Sequence, residues 1–256
     1  MKCILVESIH IKIPEFLFQM TSSLNFINYL MNKSISVIYL FLLIITVSCN
    51  NNKQGTNSKH KADKNVPVIS GVKMKTVLFF GNSLTAGYGI DPSEAFPALI
   101  QNKIDSLKLN YKVINAGVSG ETSASGNSRV DWILRQPVDI FILELGGNDG
   151  LRGIPLTETK KNLQAIIDKV KAKYPEAKLI LAGMQIPPNM GQQYATEFKN
   201  IYPDLAAKNK IALVPFLLQG VGGDPKLNQR DGIHPTAEGD KIVAENVWKV
   251  LKDFCK

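Results

Sequence analysis

From residue 76 onward, short unbroken apolar runs alternate with longer stretches in which apolar and polar residues mix. The runs are TVLFF (Thr76–Phe80), YKVINAG (Tyr111–Gly117), the apolar part of VDIFILELGGND (Val138–Asp149), the apolar part of AKLILAGMQIPP (Ala177–Pro188) and IALVPF (Ile211–Phe216). Their length and β-branched or aromatic content predict strands buried on both faces. Between and after them the pattern predicts helices over Phe96–Leu107, Ser128–Gln136, Thr157–Tyr174, Tyr194–Lys210 and Thr236–Phe254. Thr157 reads as an N-cap, and Pro203 is expected to interrupt or kink its helix. Continuous apolar strands separated by helices imply a parallel sheet covered on both faces. In such folds ligands bind beyond the carboxyl ends of the strands, and the loops GNSL, NAG, GGND and MQIPP all fall there.

Composition changes this picture mainly at the N-terminus. The chain has 256 residues, is 45% hydrophobic and carries a formal charge of +8. Residues 76–256 hold 21 Lys and Arg against 19 Asp and Glu, so the excess lies in the preceding segment and no nucleic-acid partner is expected. Residues 31–48 have a basic start at Lys33, an apolar run and small residues before Cys49, the pattern of a signal peptide. Cysteine directly after Thr46-Val47-Ser48 resembles a bacterial lipoprotein processing site, with Cys49 as the lipid anchor. On this reading Met31 starts the expressed chain and residues 1–30 are an upstream extension. Residues 49–74 form a polar tether and residues 75–256 the folded domain. The expected location is exported and membrane-associated, periplasmic or at the outer membrane. The domain contains one cysteine, Cys255, so it has no internal disulfide.

The candidate chemistry starts at Phe80–Gly89, FGNSLTAGYG, where a strand runs into a turn holding a serine. Ser83 is an ordinary turn residue or a nucleophile, and a nucleophile needs a base. His234 is the one histidine in the domain, and Asp231 precedes it by three residues in RDGIHPTAEG. A carboxylate there can hold one ring nitrogen while the other faces Ser83. Donors for a tetrahedral oxyanion are sought in the Ser83 and Gly117 N–H groups and the Asn148 side chain. Glu144, in the third strand, is expected to be buried with partners and to brace a catalytic loop. Gly87 and Gly89 bring backbone close to substrate or simply turn. The loops Leu151–Leu156 and Met184–Pro188 line an acyl groove or pack as loops; Leu151, Ile154, Met184, Ile186 and Pro187 are its candidate wall. No residue cluster has metal-ligand spacing and no cofactor is expected.

GNSL, Gly117 in NAG, GGND and DGIHP, in this order and spacing, resemble the four blocks of the SGNH, or GDSL-type, hydrolases over about residues 75–253. NAGVSGET, ILELGGNDGLRG, LAGMQIPPNMG and LVPFLLQGV are similar to the bacterial multifunctional thioesterase/lysophospholipase/arylesterase branch. The resemblance implies a three-layer α/β/α sandwich with a flavodoxin-like five-stranded parallel sheet. It also implies Ser83, Asp231 and His234 as the triad and Ser83, Gly117 and Asn148 as oxyanion donors. One departure stands out: the family's first block has Asp before the serine, and this chain has Asn82, which is expected to be tolerated. The expected activity is hydrolysis of small acyl esters or lysolipids, with thioesters a less expected substrate. A carbohydrate O-acetyl esterase is the alternative enzyme, and a non-catalytic binding lipoprotein the alternative of another class. Oligomeric state is left open.

Overall fold

The computed structural model describes residues 73–255. The upstream extension, the signal peptide, Cys49 and the tether as far as residue 72 lie outside the described residues.

Five strands form one parallel sheet in the order β2-β1-β3-β4-β5. They are β1 (Lys75–Gly81), β2 (Tyr111–Gly117), β3 (Ile140–Glu144), β4 (Lys178–Ala182) and β5 (Ala212–Val214). The helices are α1 (Ser83–Ala86), α2 (Phe96–Ser106), α3 (Ser123–Ile133), α4 (Gly147–Leu151), α5 (Leu156–Lys173), α6 (Gln192–Asn209) and α7 (Ala237–Leu251). A 3₁₀ turn, Pro188–Met190, precedes α6. Helix α2 packs on α7, while α3 packs on α5 and α5 on α6. Alternation along β1 serves both layers. Phe79 meets Phe96 of α2 edge-on, with ring centroids 5.5 Å apart, and the next residue, Phe80, lies beneath the guanidinium of Arg129 from α3. Val77, Leu78, Phe79 and Phe80 are fully buried. Burying an aliphatic or aromatic side chain of this size contributes ~1.5–3 kcal/mol, which is why Val77–Phe80 contains no polar position, whereas the edge strand β2 exposes Lys112 and Asn115.

Three expectations about elements need correction. Helix α3 begins at Ser123, five residues before the predicted start, and ends at Ile133. Its first residues, SASGNS, carry no apolar stripe; Thr122 caps them, and the buried carboxylate of Asp149 accepts from both the N–H and the hydroxyl of Ser123. Thr157 is not a cap: α5 starts at Leu156 after Pro155. Pro203 lies inside α6 and does not end it. The neighbouring Tyr202 is buried and donates its hydroxyl to the Leu145 carbonyl at 3.0 Å, an anchor that holds this part of the helix to the sheet.

The chain passes from β1 outward to β2 and then returns to the other side of β1 for β3. The carboxyl ends of β1 and of its two neighbours therefore diverge at one point, the switch where open α/β sheets bind ligands.

Candidate active site

Strand β1 delivers Asn82 and Ser83 to this switch point. Asn82 caps α1: its Oδ1 accepts the Leu84 N–H at 2.9 Å. The opposite edge of the same side chain is fixed by Glu144 at the end of β3. Asn82 Nδ2 donates to Glu144 Oε1 at 2.8 Å, and the Asn82 N–H donates to Oε2 at 3.0 Å. The Thr85 hydroxyl also donates to Oε2, at 2.8 Å. Glu144 is buried, and burial pushes its carboxyl up to about 7 against the pull of these donors. Ser83 becomes the first residue of α1. Its N–H is one of those an α-helix leaves without an intrahelical partner.

The segment before α7 brings the histidine. Asp231 Oδ1 accepts the N–H groups of Ile233 and His234 at 2.9 and 3.0 Å, closing a turn. Asp231 Oδ2 lies 2.7 Å from His234 Nδ1, and His234 Nε2 lies 2.8 Å from Ser83 Oγ. Partial burial pushes the Asp231 carboxyl up, but the two N–H groups and the imidazole outweigh it and hold it down at about 2. A deprotonated Asp231 only accepts. Nδ1 is therefore the ring nitrogen that donates to Asp231, which in the neutral imidazole leaves Nε2 to accept the Ser83 hydroxyl. Gln229 fastens the turn. Its N–H donates to the His234 carbonyl at 2.7 Å, and its Nε2 donates to the carbonyls of Tyr88 and Pro235 at 2.7 and 2.9 Å. The Tyr88 ring covers the imidazole with centroids 4.7 Å apart.

Asn148, on α4, lines the cleft beside Ser83, and its Nδ2 donates to the Glu121 carbonyl at 2.9 Å. Each amide nitrogen carries two hydrogens, so one remains for a ligand. Gly117 is not brought to the cleft. Its N–H is taken by Asn115 Oδ1 at 2.9 Å, and a Cβ there would stand 2.3 Å from the Ala86 nitrogen. Gly117 is a packing glycine that lets α1 lie against β2. The glycine that lines the cleft is Gly120. Val118–Glu121 is a type II turn in which the Glu121 N–H donates to the Val118 carbonyl at 3.1 Å. Gly120, with φ of 80°, stands at the position where this turn demands glycine. Among the described residues no intramolecular hydrogen bond takes the Gly120 N–H. The requirement for positive φ in the sequence SG after a strand was the available signal for it.

The cleft above Ser83 has a volume of about 510 Å³. Leu151, Met184, Ile186 and Pro187 line it as expected, and Phe216 and Leu218, from the segment after β5, add a wall that the sequence reading missed. Ile154 does not line it; it is half-buried, and its carbonyl accepts from the Tyr194 hydroxyl at 2.8 Å. Gly87 ends α1 as its C-cap. Among the described residues no group of three or more His, Cys, Asp or Glu could hold a metal ion. No helix among them is long and apolar enough to cross a membrane.

Comparison with known proteins agrees with this architecture. Residues 79–242 match the model of the GDSL-like lipase/acylhydrolase family. Esterase TesA of Pseudomonas aeruginosa is 41% identical over 179 residues, covering 70% of this chain and 88% of that protein. Thioesterase 1/protease 1/lysophospholipase L1 of Escherichia coli K12 is 39% identical over 178 residues, covering 69% and 83%. Among solved structures, the psychrotrophic esterase EstA of Pseudoalteromonas sp., inhibited by monoethylphosphonate, superposes with a TM-score of 0.67 at 31% identity, covering 70% of this chain and 98% of that one. Matched to the family model over residues 79–242 and 41% identical to one of its esterases, the chain belongs to the GDSL-like lipase/acylhydrolase family.

Proposed function

We propose that the protein is a serine esterase for small to medium acyl esters, lysolipids included. The observation that carries this reading is the continuous chain Ser83 Oγ–His234 Nε2–Nδ1–Asp231, at 2.8 and 2.7 Å. Ser83 Oγ attacks the acyl carbonyl carbon while its proton passes to His234 Nε2. Asp231 keeps Nδ1 protonated and stabilises the imidazolium. The negative carbonyl oxygen is held by the N–H groups of Ser83 and Gly120 and by Asn148 Nδ2. On collapse the C–O bond to the alcohol breaks, and the alcohol leaves with the proton from Nε2. Water then adds to the acyl-enzyme, again giving its proton to Nε2, and frees the acid and Ser83 Oγ–H. Gly120 replaces Gly117 in this scheme because the Gly117 N–H is already engaged.

The apolar lining by Leu151, Met184, Ile186, Phe216 and Leu218 favours an acyl chain longer than acetate, and so a lipid or aryl esterase over a carbohydrate deacetylase. The leader pattern supports export with a lipid on Cys49, which the loss of palmitate labelling in Cys49→Ala would check. The central test is hydrolysis of nitrophenyl acetate, butyrate and octanoate by wild type, Ser83→Ala and His234→Ala. Butyrate or octanoate should be preferred, and each variant should lose at least about 10³-fold in kcat. Full activity in Ser83→Ala would overturn the serine mechanism, and a sharp preference for acetate would overturn the acyl-cleft reading.

A further inference from the structure

The segment Ala116–Glu121 carries Gly120, and its outward residues Val118, Ser119 and Gly120 are all exposed. An exposed turn is a poor platform for a donor that must stay within a few tenths of an ångström of its target. Beneath it lies an ion pair the proposed reaction does not use. Arg129 Nε donates to Glu121 Oε1 at 2.7 Å and Nη2 donates to Glu121 Oε2 at 2.6 Å. This is the two-bond fork in which arginine binds carboxylate with fixed geometry. Nη2 also donates to the Ala116 carbonyl at 2.9 Å. The guanidinium rests on the Phe80 ring, 4.3 Å from its centroid. The Glu121 side chain is 3% exposed and that of Arg129 23%.

Arg129 thus ties the first residue of the segment to the last and closes a loop with Gly120 inside it. The same Glu121 that receives the fork presents its carbonyl to Asn148 Nδ2. Two of the three donors assigned to the oxyanion, the Gly120 N–H and Asn148 Nδ2, therefore take their position from one residue, while the third, the Ser83 N–H, is set by α1. We infer that Arg129, through Glu121, is the positioning residue of the oxyanion hole: it sets the distance between the Gly120 N–H and Asn148 without touching substrate. This rests on the serine-esterase reading above and adds to it a residue whose effect is confined to the charged, tetrahedral state. Rim residues of an apolar cleft bind the acyl chain alike in ground and transition states, whereas this clip should matter only when the carbonyl oxygen carries charge.

The test uses Arg129→Met, which keeps an unbranched apolar side chain in place of the guanidinium and loses the bonds to Glu121 and Ala116, together with Arg129→Lys, Asn148→Ala and the Arg129→Met/Asn148→Ala double variant. All are assayed well below their unfolding temperatures. On nitrophenyl butyrate, Arg129→Met should lower kcat by about 10- to 100-fold, with KM within about twofold of wild type. The affinity for butylboronic acid, which adds to the serine oxygen as a tetrahedral anion, should fall by the same factor as kcat. Arg129→Lys, which keeps the charge and one contact, should recover part of the loss. The Arg129→Met change should cost clearly less on the Asn148→Ala background than alone, because the two then act on one element. A folded Arg129→Met enzyme with wild-type kcat would overturn the inference, as would a lowered kcat with unchanged boronate affinity. Inactive Ser83→Ala and Asn148→Ala beside a fully active Arg129→Met would sink the clip alone and leave the serine mechanism standing. Active Ser83→Ala would sink the mechanism itself.

Discussion

Asn82 and Glu144 allow an exchange experiment whose outcome follows from donor and acceptor counting. Glu144 receives three donors, from the Asn82 N–H, Asn82 Nδ2 and the Thr85 hydroxyl, while Asn82 Oδ1 is committed to the Leu84 N–H. The asparagine cannot flip without losing its cap. In Glu144→Gln the new amide brings one acceptor and one donor to a site that offers only donors. One N–H group is left facing another in a buried place, at a cost of ~1–3 kcal/mol. The displaced turn carries Ser83, so kcat should fall about 10- to 100-fold. In Asn82→Asp two carboxylates face each other at the 2.8 Å now spanned by the amide–carboxylate bond. At an effective dielectric of about 20 their repulsion is ~6 kcal/mol, roughly four pKa units. The pair would therefore keep one proton through neutral pH and preserve the contact as O–H···O. Asn82→Asp alone should stay within about threefold of wild type near pH 7. The double exchange, Asn82→Asp with Glu144→Gln, restores every bond: the aspartate accepts from Leu84 and from the glutamine amide, and the glutamine oxygen accepts from the residue-82 N–H and from Thr85. It should be more active and more stable than Glu144→Gln. Nitrophenyl butyrate kinetics and urea unfolding of the four proteins give the coupling directly. A double variant no better than Glu144→Gln, or a Glu144→Gln enzyme indistinguishable from wild type, would refute the argument.

Two further outcomes follow from other parts of the molecule. Asp240 is buried with the Phe96 N–H as its bond, at 3.1 Å, and burial pushes its carboxyl up to about 7 against that bond. The folded state then holds a proton that the unfolded state has released, so stability from this group is lost as pH rises from about 4 to 7. Asp240→Asn should flatten that slope in urea titrations by at most about 4 kcal/mol, and a slope unchanged by the substitution would count against it. Gly117→Ala should destabilise the fold, because its Cβ would meet α1 backbone at 2.3 Å. Gly120→Ala meets nothing nearer than Arg152 Nη2 at 3.9 Å and incurs only the strain of its φ of 80°, so it should lower kcat while costing less in Tm than Gly117→Ala; equal thermal losses in the two variants would contradict the division of roles.

Where local pattern and tertiary demand coincide, the sequence was legible. Strands β1 and β3 lie between helical layers, so every residue of their apolar runs meets a hydrophobic neighbour and the run itself marks the strand. His234 was legible by elimination, as the one histidine in the domain, and Asp231 by its turn spacing from it; Ser83 was marked by its place at a strand end, and the resemblance to the family joined the three. The first turn of α3 escaped because it is made stable by a carboxylate 26 residues away, which no window of the chain contains. The choice between Gly117 and Gly120 escaped for a related reason. One glycine ends the strand and the other follows it by three residues, and both are required, but for opposite ends: Gly117 removes a side chain so that α1 can approach, and Gly120 turns its backbone so that an N–H stays unclaimed. A sequence marks where glycine stands; only the partner of each N–H says which glycine has a donor left to give.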